Sequence, residues 1–201
     1  MYKVIKNRKI RIAIIGCGRI SENHFNAVEK HADDMELIAV CDINADVLEA
    51  HKKQYAVPGY LNLEEMLKNE KLDIVAICTP SGLHPEQTIM IAHHGIHVMT
   101  EKPMATRMSD GKRMVKACDA EKVRLFVVKQ NRRNSTLQLL KRAIEEKRFG
   151  KIHMVHLNVF WTRPQEYYDM AKWRGTWELD GGAFMNQASH YVDLIDWLIG
   201  P

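Results

Sequence analysis

Five short runs of aliphatic and β-branched residues, at 10–15, 37–41, 74–78, 97–99 and 125–128, are separated by amphipathic stretches long enough for helices, at 22–30, 45–55, 63–68, 85–94 and 109–121. Near-continuous apolar strands suit a parallel sheet whose two faces are both covered by helices. Strands regularly interrupted by helices give right-handed βαβ units, and these predict an α/β, doubly wound parallel sheet of the Rossmann kind. In such a sheet ligands collect outside the carboxyl ends of the strands, so the residues that follow each run carry the functional information.

Beyond a further helical stretch at 135–147, Phe149-Gly150 reads as a helix stop and the pattern changes. Residues 152–160 alternate apolar positions with His153, His156 and Asn158, which predicts a longer strand of an antiparallel sheet with one wetter face. A loop rich in aromatic and charged residues follows at 161–180, then a helix at 182–198. The expected organisation is a dinucleotide-binding domain over residues 1–133, then a linking helix and the start of an α+β domain over 134–201.

Composition removes several function classes. No apolar run reaches the roughly 20 residues of a membrane-spanning helix. The basic N-terminus leads into a short strand instead of a secretory signal, so the protein is expected in the cytoplasm and off the membrane. The net charge of +4 is spread among interleaved acids and bases, which argues against a nucleic-acid partner. The four cysteines have no CxxC pairing and read as reduced, mostly buried thiols. His93 and His94 point to different faces of a helix and His97 opens a strand, so no metal site is expected there.

The first strand ends in Gly16-Cys17-Gly18-Arg19-Ile20-Ser21 directly before a helical pattern. This is the setting of a phosphate-binding glycine turn: Gly16 permits the turn, Gly18 lets the backbone approach a pyrophosphate, and the helix N-terminus offers N–H groups to the anion. Ser21 replaces the third glycine with another small residue, and a plain turn is the alternative. Asp42, after the second strand, is placed to accept hydrogen bonds from the adenosine ribose and would repel a 2′-phosphate; its other reading is a helix N-cap. The cofactor is therefore expected to be NAD, not NADP. Thr79-Pro80-Ser81, with His84 beyond, are expected to line the same cleft, with a helix-capping role as the alternative for His84.

Glu101-Lys102-Pro103 follows the fifth run, and with the glycine turn it resembles the signature of the Gfo/Idh/MocA oxidoreductases. The resemblance implies a cis Lys-Pro peptide, a catalytic Lys102 aimed at the substrate, and cofactor contacts from Glu101, Lys102 and Gln130. Glu101 can equally orient the loop or be a solvated strand-end charge. The family's Asp-x-Gly-x-His-x-x-Asp helix corresponds to Asn186 through Asp193, with Asn186 in place of the usual aspartate and Ala188 in place of the usual glycine. His190 matches the family's catalytic histidine, and Asn186 stands one helical turn away; a core histidine is the plain alternative.

Within the family the chain is similar to the nucleotide-sugar dehydrogenases of the WlbA/WbpB type, through the stretches 129–134, 160–168 and 173–177. This implies NAD-dependent oxidation of the C3 hydroxyl of a UDP-linked N-acetylated hexuronic acid to the 3-keto sugar, in the biosynthesis of surface polysaccharide. Substrate contacts would come from Lys102, Arg163, Tyr167, Arg174, Asn186 and His190. Surface salt bridges are the other reading of the two arginines. The resemblance further implies a homo-oligomer and a second domain that continues well beyond Pro201. A cyclitol or aldose dehydrogenase and a non-catalytic sensing protein are the rival functions.

Overall fold

The structure is a computed structural model and describes residues 4–200; residues 1–3 of the basic N-terminus, and Pro201, lie outside it. The chain divides after Val127 into two compact units.

In the first unit six strands, β1 (Ile10–Ile15), β2 (Met35–Cys41), β3 (Gly59–Tyr60), β4 (Ile74–Ile77), β5 (His97–Thr100) and β6 (Leu125–Val127), form one sheet in the order β3-β2-β1-β4-β5-β6. Every pair is parallel. Side chains alternate across the sheet, and the core therefore falls into two layers. Ile12, Ile14, Val40 and Ala76 pack against Phe25 and Val28 of α1 (Ser21–Lys30) and Leu48 of α2 (Ala45–Tyr55). Ala13, Ile15, Val75, Ile77 and Val98 face the other way. They meet Met66 of α3 (Leu63–Asn69), Ile91 of α4 (His84–His93) and Cys118 of α5 (Met108–Ala120). Helices thus cover both faces, as a sheet of buried parallel strands requires. The two-residue β3 is the strand that the hydrophobic pattern does not announce.

The second unit contains α6 (Ser135–Glu145), the short α7 (Gln165–Asp169), a π turn (Phe184–Ala188) and α8 (Ser189–Ile199). The strand expected at 152–160 does not form, because among the described residues no strand pairs with it. Alternation of side chains prepares a segment for a sheet, but a ladder needs a neighbour to accept and donate its hydrogen bonds. Met154 and Phe160 accordingly stay exposed. The helix expected over 182–198 is interrupted by the π turn and becomes regular only from Ser189. No helix among the described residues is long and apolar enough to cross a membrane.

A buried charge ties the N-terminal segment to the sheet. Asp73, immediately before β4, accepts from Arg8 Nη1 at 2.5 Å, Arg8 Nη2 at 2.8 Å and the Arg11 backbone N–H at 2.9 Å. The Arg8 guanidinium holds its carboxyl well below the usual carboxylate range. Because the folded-state value lies below the unfolded one, this contribution is complete above about pH 4 and is lost as the pH falls towards the folded value. Asp73→Asn is expected to cost about 2 kcal/mol at neutral pH. Urea unfolding of wild type and variant should show that gap closing as the pH is lowered through the carboxylate range.

Candidate functional site

The register of the parallel strands brings four loop residues to one level. Ile15 lies opposite both Cys41 and Ile77, and Ile77 lies opposite Thr100. Gly16, Asp42, Cys78 and Glu101 are each the next residue along. The ladder runs one step past the strands: Gly16 N–H donates to Cys41 O and Cys78 N–H to Ile15 O at 2.8 Å, and Glu101 N–H donates to Ile77 O at 3.0 Å.

Gly16 has φ +84°, and a Cβ there would stand 2.8 Å from the backbone of Cys78 and Thr79, so only glycine fits. At Gly18 the reverse holds, since nothing lies within 4 Å of where a Cβ would be. Ser21, in the place of the third glycine, donates its hydroxyl to Gly18 O at 2.5 Å and is fully packed. Arg19 and Ile20 complete the turn, and no side chain caps α1; Ser21 N–H donates to Gly18 O at 3.0 Å and Asn23 N–H to Ile20 O at 3.2 Å.

The Asp42 carboxylate is fixed by two backbone donors, Cys17 N–H at 2.7 Å and Asn44 N–H at 2.8 Å. It does not cap α2. That role belongs to Asn44, whose Oδ1 accepts from Asp46 and Val47 N–H. Open space at Gly18, an uncapped helix end and an oriented carboxylate together fit an adenosine dinucleotide.

Cys17, Cys41 and Cys78 line the base of this turn as free, buried thiols. Burial, reinforced by the charge of Asp42, pushes Cys17 and Cys41 up to about 12. Burial also raises Cys78, with Glu101 adding to the effect.

Thr79 and Pro80 are half-buried and lead into a 3₁₀ turn opened by the buried Ser81. Thr79 Oγ1 donates to Gln87 Oε1 at 2.6 Å. His84 is 1% exposed, with Nδ1 facing Pro103 O and Nε2 facing Thr79 O, both at 2.9 Å. Both ring nitrogens face backbone oxygens, and burial lowers the ring's affinity for a second proton.

The Lys102–Pro103 peptide is cis. Glu101 beside it is not a solvated charge: it is buried, accepts from His24 Nε2 at 2.8 Å through Oε1, and accepts from Lys102 N–H at 3.4 Å through Oε2. His24 escaped the sequence reading, although a polar residue on the α1 face that also carries Phe25 and Val28 was a signal for it. Gln130 falls after the division at Val127 and is exposed on a 3₁₀ turn of the second unit.

In the second unit the two arginines that were read as possible surface salt bridges form no ion pair among the described residues; they stack. The Arg163 guanidinium lies 3.7 Å from the Trp161 ring and 4.8 Å from Tyr167, and Arg174 lies 4.4 Å from Tyr167. Arg163 also donates to Gln187 Oε1 at 3.0 Å and Arg174 to Tyr167 O at 2.7 Å. A hollow of about 470 Å³ opens here, lined by Trp161, Arg163, Tyr168, Phe184 and Gln187.

Asn186, in the π turn, and His190, at the start of α8, are both buried. Asn186 Nδ2 donates to Asp180 Oδ1, and Gly175 N–H donates to Asp180 Oδ2 at 2.8 Å. Asp180, the last residue of the loop that begins at Trp161, is a buried carboxylate. A carboxylate only accepts, so it fixes the Asn186 amide with the nitrogen towards itself. Asp193, the last residue of the helix motif, forms a two-pronged pair with Arg132 at 2.7 and 2.9 Å.

Residues 10–129 match the Gfo/Idh/MocA oxidoreductase family, NAD-binding Rossmann fold, and residues 137–201 match the Gfo/Idh/MocA C-terminal domain. The WlbA dehydrogenase of Chromobacterium violaceum, solved in complex with NADH and UDP-GlcNAcA, is 66% identical with a TM-score of 0.95, over 98% of this chain and 57% of its own. The WlbA dehydrogenase of Bordetella pertussis, also solved with NADH and UDP-GlcNAcA, is 62% identical with a TM-score of 0.94, over 96% of this chain and 59% of its own. Myo-inositol 2-dehydrogenase of Thermotoga maritima is 28% identical over 95% of this chain and 55% of its own length. The chain thus spans a little over half the length of these relatives. With the glycine turn, the Asp42 carboxylate and the Glu-Lys-Pro triplet on one sheet edge, and both stretches of sequence matched, the chain belongs to the Gfo/Idh/MocA oxidoreductase family and carries its NAD-binding Rossmann domain.

Proposed function

We propose that the protein is an NAD-dependent dehydrogenase that oxidises the C3 hydroxyl of a UDP-linked N-acetylated hexuronic acid to a 3-keto sugar, in the biosynthesis of surface polysaccharide. The observation that carries this reading is the 66% identity, over nearly the whole chain, to a protein solved with NADH and UDP-GlcNAcA. Four buried free thiols accord with a reducing cytoplasm. The whole enzyme is taken to be a homo-oligomer, in keeping with the exposed apolar residues of the 152–160 segment.

Oxidation of the hydroxyl breaks the C3–H and O–H bonds and forms C3=O. NAD, when bound, supplies the hydride acceptor. The chain's own task is to bind and orient the sugar and to remove the hydroxyl proton. Lys102 Nζ and a ring nitrogen of His190 are the two groups assigned to that proton; Asn186, a neutral amide, cannot take it. Asn186, its nitrogen turned to Asp180, is assigned a contact to the sugar. Arg163 and Arg174, placed over the Trp161 and Tyr167 rings, offer their guanidinium groups to the carboxylate or the diphosphate. Backbone N–H groups of the glycine turn and of the start of α1 hold the pyrophosphate, Asp42 the adenosine ribose, and Thr79 and Ser81 flank the cleft.

The carboxylate of Asp42 makes NAD bind at least about tenfold more tightly than NADP, a gap of roughly 1.4 kcal/mol. Calorimetry should show this preference and its narrowing in Asp42→Ala; equal affinities in the wild type would remove the assigned role. Lys102→Ala is expected to lower turnover by about a hundredfold or more, the scale of losing an acid-base group, with NAD affinity nearly unchanged. A variant that keeps most of its turnover assigns the proton to His190. The substrate is tested by offering the protein NAD with the UDP-sugar acid, the matching neutral UDP-sugar and myo-inositol, and following NADH together with the keto product by mass spectrometry. Oxidation of myo-inositol alone replaces the proposed reaction with a cyclitol dehydrogenase, and reaction of the neutral sugar alone removes the arginines from carboxylate recognition.

A further inference from the structure

We propose that His24 is a positioning residue for this reaction: its bond to Glu101 anchors the turn that carries Lys102 to the helix at whose N-terminus the dinucleotide phosphates are received. The inference rests on the role given to Lys102 above, and it arises from how the residues on either side of that lysine are held.

Glu101 and Pro103 are gripped by two histidines from two different elements. His24 comes from the first turn of α1 and meets the Glu101 carboxylate at 2.8 Å, with both side chains at least nine-tenths buried. His84, the first residue of α4, meets Pro103 O at 2.9 Å, and its other nitrogen reaches Thr79 O. Lys102 lies between these two holds, itself half-buried, and its own backbone N–H points at the second oxygen of Glu101. The carboxylate is therefore a junction, with one oxygen on α1 and the other on the backbone of residue 102. A buried carboxylate that loses such a partner must either take up a proton or turn towards water. Either change releases the backbone of residue 102 from its bond, and the Lys102 side chain departs from a fixed line of approach. Small misplacements of a reacting group lower the rate of chemistry much more than they lower affinity.

His24 need not touch the dinucleotide or the sugar for this. Its effect belongs in turnover, and it separates from a plain structural role by rescue: Gln places an Nε2 donor close to where the imidazole Nε2 stands, whereas Leu fills the space and donates nothing.

With saturating NAD and the UDP-sugar acid, His24→Leu is expected to lower kcat by about tenfold or more, while the Kd for NAD, from quenching of protein fluorescence, changes by less than about threefold. His24→Gln should return kcat to within about threefold of wild type. A second readout needs no sugar. After reductive ¹³C-methylation of lysines, the Lys102 resonance, assigned by its loss in Lys102→Arg, should move towards the bulk of surface lysines in His24→Leu and stay near its wild-type position in His24→Gln. Unchanged kcat and an unmoved Lys102 resonance in His24→Leu overturn the inference, as does a loss found wholly in NAD affinity or a glutamine no better than leucine. If His24→Leu does not fold, His24→Met, which also fills the space without a donor, takes its place with the same expectations. A wild-type protein that leaves the UDP-sugar acid untouched overturns the substrate reading alone, and the Lys102 resonance then decides the part of His24.

Discussion

Everything in the first unit depends on the parallel ladder being in step at its carboxyl edge. Because Ile15, Cys41, Ile77 and Thr100 stand in one row, the residues after them emerge side by side, and single backbone hydrogen bonds carry the row one position further. A shift of one residue in any strand would invert its side chains between the two core layers. The apolar alternation that fills those layers thus also sets the level at which a glycine, an aspartate and a glutamate leave the sheet. The precision of the site is inherited from the packing of Ile12, Ile14 and Phe25 on one face and of Ile15, Val75 and Met66 on the other.

Where the information was local, the sequence was enough. Strand β1, its glycine turn and helix α1 follow one another within a few residues, and each has its own period or its own backbone requirement. The Asp42 carboxylate already shows the limit. Two side chains of similar chemistry, Asp42 and Asn44, precede α2, and which of them caps the helix is decided by the Cys17 N–H, donated from the preceding βα turn. His24 is further out of reach, since its partner comes 77 residues later and no periodicity links α1 to the end of β5. The 152–160 segment fails in the opposite sense: its alternation is strong, but a pattern on one strand says nothing about whether a second is there to receive it. The pairing of Asp180 with Asn186 was hidden because the first lies in an irregular loop and the second in a π turn, so neither has a register from which contact can be inferred.

The second unit replaces regular structure with side-chain interactions. Tyr167 supplies a ring to two guanidinium groups and a backbone carbonyl to one of them, and Asp180 joins the turn around Gly175 to the π turn. Stacked arginines lose little entropy on meeting an anion, because their planes are already set. A loop of this kind can be ordered before any ligand arrives even though it has few backbone ladders to hold it.

The thiols beneath the glycine turn bear on how that turn treats an anion. A cysteine at position 17 in a solvated setting would ionise partly at mildly alkaline pH and set a negative sulfur beside the route of two phosphates. Packed against the sheet, and with the charge of Asp42 close by, it keeps its proton throughout the range in which proteins ordinarily work. The thiol therefore adds no negative charge beneath the turn as the solution becomes mildly basic. The same burial denies oxidants and alkylating agents the thiolate they attack, so the part of the molecule that most needs an undistorted backbone is also shielded from covalent damage.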